Sequence, residues 1–225
     1  MQTTATLTNE STSARTATGS LLLAGIAAGP IYVAIGLIEA FTRPGFDITR
    51  HSLSLLANGE LGWIHVAMLA TTGILTVAGA IGLRRALATG RGRTWGPILI
   101  GIYGVCLVAA GFLTADPALG FPIGTPAGPP TAYSWHGIGH FVAGGIGFLC
   151  LIAGCFVLAR RFASRGERGW ASYSLATGVI FFAAFAGIAS GNQSPALNLA
   201  FGAAVVIAWA WISLICARAR VAHTS

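Results

Sequence analysis

The 225 residues are 55% hydrophobic and only 8% charged, against roughly 25% charged in a soluble domain, and the mean hydropathy is +0.75. That balance excludes a water-soluble globular fold. The net charge of +7 would suit nucleic acid, but every basic residue is an arginine and most sit beside apolar stretches. The charge therefore reads as membrane topology, with the lipid bilayer as partner and no nucleic acid.

In chain order, residues 1–18 are rich in Thr, Ser and Ala and lack the apolar density to order alone, so a disordered cytoplasmic tail is expected there. Residues 19–217 read as one all-α transmembrane domain, and 218–225 as a short cytoplasmic tail. Six segments reach the roughly 20 apolar residues that cross a hydrocarbon layer: Ser20 to Phe41, Gly62 to Leu83, Trp95 to Ala115, Trp135 to Ala159, Ser172 to Ser190 and Leu197 to Ile215. Each must be a helix, because a spanning segment has to satisfy its own backbone hydrogen bonds. The first runs on past Gly29-Pro30 and exceeds a signal-peptide apolar region of about 7–15 residues, so it is expected to stay uncleaved. Eleven of the thirteen arginines fall on one side of this six-helix bundle, beside the termini. By the positive-inside rule that side, with both termini, is expected to be cytoplasmic, in a multi-pass protein of the plasma membrane. The four cysteines lie inside apolar segments and read as packing residues. The glycine-rich fourth segment is expected to be central, since small residues let helices approach.

Polar chemistry gathers at the opposite side. Of five histidines, His51, His65, His136 and His140 lie there, with Glu39, Asp47, Glu60 and Asp116 of the six acids. Ionisable groups at membrane depth are costly and face a bundle interior or a wet cavity. In the first external loop, Pro44-Gly45 predicts a turn, Asp47 or Thr49 a cap, and Asp47 an ion pair with Arg43 or Arg50. Arg43, Arg50 and Ser52 are expected to be structural, orienting residues. A second loop begins at Asp116-Pro117, and after it His136 and His140 fall four apart on one helix face. Asp116, His136 and His140 are the candidate ligands of zinc or another divalent metal. With Asp47 and His51 they form the candidate catalytic set. Glu39 reads as an interfacial or proton-carrying residue, and His65 as hydrogen-bonded packing.

The stretches Thr42-Arg43-Pro44-Gly45-Phe46-Asp47, Arg50-His51-Ser52-Leu53-Ser54, Gly62-Trp63-Ile64, Asp116-Pro117, Gly120-Phe121-Pro122 and His136-Gly137 with His140 resemble those of the bacterial and archaeal membrane proteins grouped as domain of unknown function 998. The resemblance spans the first helix to the last and implies a multi-helix membrane protein, with no activity to carry over. His65 departs from it, since similar proteins more often have glutamine there.

Three functions compete. One is a membrane-embedded enzyme acting on a lipid or isoprenoid-like molecule, by metal-activated water or by Asp/His acid–base chemistry. The others are a small-molecule transporter or sensor, with Glu39 coupling to protons, and an accessory subunit that docks another membrane protein.

Overall fold

The computed structural model describes residues 2–191 and 194–224, and side chains within 15–191 and 194–223. The helices are α1 (Gln2–Thr42), α2 (Gly62–Ala86), α3 (Trp95–Phe112), α4 (Trp135–Ser164), α5 (Arg168–Ala189) and α6 (Pro195–Thr224), with a short 3-10 helix, Leu53–Ala57, between α1 and α2. Among the described residues there is no strand. All six α-helices contain a stretch long and apolar enough to cross a membrane, from Arg15–Thr42 in α1 to Pro195–His223 in α6. The chain is a six-helix membrane protein. With six passes, both termini lie on one face, called here the terminal face, and the two long loops on the other, the loop face.

The helices form a ring. Each packs on its sequence neighbours, α6 closes on α1, and α2 reaches across to α6. Small residues set the closest approaches. A Cβ on Gly73 of α2 would lie 2.6 Å from the Gly104 carbonyl of α3, and one on Gly79 would lie 2.6 Å from the Gly25 backbone of α1. Cys216 of α6 fills the same junction, with Sγ 2.6 Å from where a Gly25 Cβ would stand. The glycine-rich α4 is not the central helix that its composition suggests. Gly144 and Gly145 have nothing within 4 Å of an added Cβ, so these glycines border space rather than a partner helix. α2, which touches α1, α3 and α6, is the most enclosed.

Polar groups inside the spans are satisfied locally. Thr72 and Thr76 donate to the Met68 and Thr72 carbonyls at 2.7 Å, and the Trp211 indole donates to Ser174 Oγ at 3.0 Å. At the terminal face the buried Arg161 donates to the Thr89 and Arg91 carbonyls at 2.8 and 2.9 Å. Arg218 meets Glu167 at 2.5 Å and lies over the Trp170 ring at 5.1 Å. Several helices therefore outrun the apolar windows that announce them, because arginine heads at their ends reach carbonyls and acids.

At the α2–α3 contact, Gly73→Leu should place a side chain against the Gly104 backbone, and overpacking of this kind costs about 1–3 kcal/mol. Thermal unfolding in detergent is the measurement, and an unchanged midpoint would contradict the packing described.

Candidate functional site

Three groups of polar residues stand at the loop-face end of the ring, and each is tied down differently. The first crosses α1 and α2. Glu39, near the top of α1, is 4% exposed, and His65, in the first turn of α2, is 0% exposed. His65 Nδ1 lies 2.8 Å from Glu39 Oε2, and the Arg43 guanidinium lies 3.4 Å from Glu39 Oε1. A carboxylate only accepts, so Nδ1 of His65 carries a proton, and in the neutral ring Nε2 is then the lone-pair nitrogen. That Nε2 is buried and has no hydrogen-bond partner. Arg43 continues outward, donating to the Leu56 and Asn58 carbonyls at 3.1 and 2.7 Å and covering the Phe121 ring. One carboxylate thus orients a histidine on one side and anchors the loop-bearing arginine on the other.

The second group joins α3 to α4. The last carbonyls of a helix lack intrahelical partners, and here the imidazoles of α4 supply them. His140 Nδ1 donates to the Ala110 and Leu113 carbonyls at 3.0 and 2.9 Å, and His136 Nδ1 donates to the Thr114 carbonyl at 2.8 Å. In return Asp116, just beyond α3, serves the N-terminus of α4. Its Oδ2 accepts from the Ser134 amide at 3.0 Å, while Ser134 Oγ accepts from Gly137 N. The carboxylate packs so closely on α4 that a Cβ on Gly137 would collide with it. Ser134, first through its hydroxyl beside the carboxylate and then through its amide, holds the Asp116 carboxyl below its ordinary value of 3.8, as expected of an acid at a helix N-terminus. α3 stops at Phe112, short of the Ala115 expected from hydropathy, because its end is turned aside into this exchange.

The third group is the first loop. Asp47 Oδ1 accepts from the Thr49 amide and hydroxyl at 2.8 and 2.7 Å, which lowers its carboxyl below 3.8. His51 uses both ring nitrogens: Nδ1 accepts from the Asp47 amide at 2.9 Å, and Nε2 donates to the Leu119 carbonyl at 3.0 Å. Arg50 reaches the Ala127 carbonyl at 3.3 Å. Phe46 and Phe121 flank the His51 ring, and with Ala40, Leu55, Leu56 and Ala118 they belong to a small apolar core under the loops. Asp47 has an Asx turn instead of the expected ion pair, and the arginine that finds an acid is Arg43, with Glu39. Ser52 precedes the 3-10 helix, its hydroxyl 3.1 Å from that of Ser54.

Beside these groups lies a cavity of about 360 Å³ lined by the loop-face halves of the helices. Its walls are mostly apolar. His65, His140, His51, Tyr103 and Asn198 are among the polar residues that line it. Of the candidate catalytic set, the cavity collects His51 and His140, whereas Asp47, Asp116 and His136 do not line it. Among the described residues, no three His, Cys, Asp or Glu side chains gather so as to hold a metal ion. Asp116, His136 and His140 are engaged in the helix-end exchange, the histidines through Nδ1 and the aspartate through Oδ2. Reasoning from sequence passed over His65 and Glu39 as a pair. The available signal was that both are ionisable groups placed within spans, near the same end.

Two consequences are measurable. Removing one partner of a buried ion pair costs about 3–5 kcal/mol, and Arg43→Ala also strips two carbonyls of their donor, so it should lower the unfolding midpoint far more than Arg50→Ala. The low carboxyl of Asp116 gives stability that is fully present above its unfolded value and is lost as pH falls through its folded one. Asp116→Asn should then flatten the acid loss of helical signal as pH falls below the carboxyl's ordinary value of 3.8, measured by circular dichroism.

A family model described as "Protein of unknown function (DUF998)" matches residues 26–218. No curated protein and no solved structure matches the chain. The chain belongs to the DUF998 family.

Proposed function

We propose that this DUF998 member is a membrane-embedded enzyme that takes a lipid- or isoprenoid-like molecule into the ring cavity and moves a proton at its polar end, with His65 as the acid–base group and Glu39 as the residue that positions it. The observation that carries this reading is His65, a histidine that lines an apolar cavity, is backed by a carboxylate on Nδ1 and has a buried Nε2 without a hydrogen-bond partner. A buried acceptor left without a partner is costly, and a bound molecule with a hydrogen to donate removes that cost.

The chemistry follows from the tautomer. Nε2 accepts a proton from the substrate, the Glu39 carboxylate offsets the imidazolium charge through Nδ1–H, and the same Nε2 returns the proton to the product. A carboxylate that fixes a histidine tautomer does the same in hydrolase triads. His140 lines the same cavity, and its own Nδ1–H is occupied by the α3 carbonyls, so its Nε2 is the second ring nitrogen there without a backbone partner. Asp116, His136, Asp47 and His51 support the site by holding the loops and helix ends. The arginine distribution supports a cytoplasmic terminal face, which sets the cavity in the outer half of the plasma membrane.

The test uses purified protein in detergent, incubated with the total lipid extract of the producing cells and followed by mass spectrometry. Wild type should convert at least one apolar species. His65→Gln, which keeps a hydrogen-bonding amide but no base, should slow that conversion by about 10²–10⁴-fold. A lipid profile unchanged by wild type, or equal turnover by His65→Gln, would overturn the enzyme. Retention of an apolar species without turnover would favour the sensor.

A further inference from the structure

We infer that the ligand is an uncharged, single-chain amphiphile headed by a hydrogen-bond donor, a lipid alcohol in the simplest case, and that it enters sideways from the bilayer between α1 and α6. The inference rests on the cavity being the ligand site and adds the ligand's class and route.

The head group follows from charge. Among the described residues, no Asp, Glu, Lys or Arg lines the cavity. Glu39 is spent on His65 and Arg43, and the Arg43 donors go to Glu39, Leu56 and Asn58. A phosphate or carboxylate would meet histidines and no arginine or lysine, and desolvating its charge there costs more than desolvating a hydroxyl. A hydroxyl matches the site, donating to Nε2 while its chain lies against the apolar wall.

The route follows from how α1 and α6 diverge. In the terminal half they interlock: Gly25 faces Cys216, and a Cβ on Gly29 would meet Ser213 Oγ and lie 2.8 Å from the Trp209 carbonyl. One turn further the Tyr32 ring stacks on Trp209 with centroids 4.7 Å apart. The next residue in this row of α1 is Gly36, and two turns above Trp209 on α6 stands Gly202. Neither has any atom within 4 Å of an added Cβ, and both line the cavity. The helices part over these turns. The flanking residues Leu37, Leu199 and Val206 line the cavity yet remain 39%, 45% and 41% exposed, so the gap opens among side chains that face the acyl chains. On the loop face, by contrast, Asn198 donates to the Ile48 and His51 carbonyls at 2.7 and 3.0 Å, pinning the first loop over the end of α6.

The experiment reconstitutes the full chain in phosphatidylcholine vesicles with a prenyl alcohol that carries a diazirine, or with its monophosphate, and maps the photolabel by peptide mass spectrometry. The alcohol should label the 33–37 and 199–206 stretches, and the monophosphate about tenfold less at equal membrane concentration. Gly36→Leu and Gly202→Leu, which fill the gap from opposite sides without striking a neighbour, should each cut labelling by about tenfold. Gly169→Leu, in open space at the terminal face, should leave it unchanged. Equal or stronger labelling by the monophosphate overturns the head-group assignment. Full labelling in both gap-filling variants, with their unfolding midpoints intact, overturns the route. Labelling by the alcohol in a protein that converts no lipid sinks the enzyme but leaves the ligand class standing; turnover without labelling does the reverse.

Discussion

A carboxylate inside hydrocarbon must be surrounded by donors, and the loop-face half of this protein is organised around one such group. Glu39 lies almost wholly out of solvent on α1. It binds His65 of α2 with one oxygen and Arg43 with the other. Arg43 in turn holds the 3-10 helix by its carbonyls and covers Phe121 of the second loop. The position of the first loop, the lie of the second and the tautomer of a cavity histidine thus share one anion. Because that anion is compensated from both sides, the molecule tolerates charge at a depth where isolated charge is excluded.

The α3–α4 connection solves a related problem without charge pairing. Helix ends near a membrane boundary leave backbone groups that water satisfies poorly, and here each helix repairs the other. Imidazoles of α4 take the carbonyls of α3, and the carboxylate beyond α3 takes the amide before α4. The exchange fixes where α3 ends, and it aims the second nitrogen of His140 away from the backbone.

Hydropathy alone was enough to read the six helices, because a spanning segment must be apolar along its whole length. The polar loop face and the arginine-rich terminal face were legible for the same reason. The site was only half legible. Glu39 and His65 are 26 residues apart on different helices, and each alone resembles an isolated interfacial or packed residue; the glutamine of similar proteins at the His65 position also spoke against it. His136 and His140 have the spacing of a metal pair, but their partners are backbone carbonyls 22 to 30 residues back, and side-chain patterns carry no record of carbonyls. Asp116 looked like a ligand because acids beside histidines often are, while its capping role depends on where α4 begins in space.

The glycines of α1 and α6 divide the molecule into two regimes. At Gly25 and Gly29 a single added methyl strikes the neighbouring helix, whereas at Gly36 and Gly202 the same methyl enters empty space. A side chain added in the first pair acts on the packing of the bundle; one added in the second reaches first the space of the cavity. The shape of that space can therefore change through the loop-face rows of two helices while the rows that keep the bundle closed stay as they are.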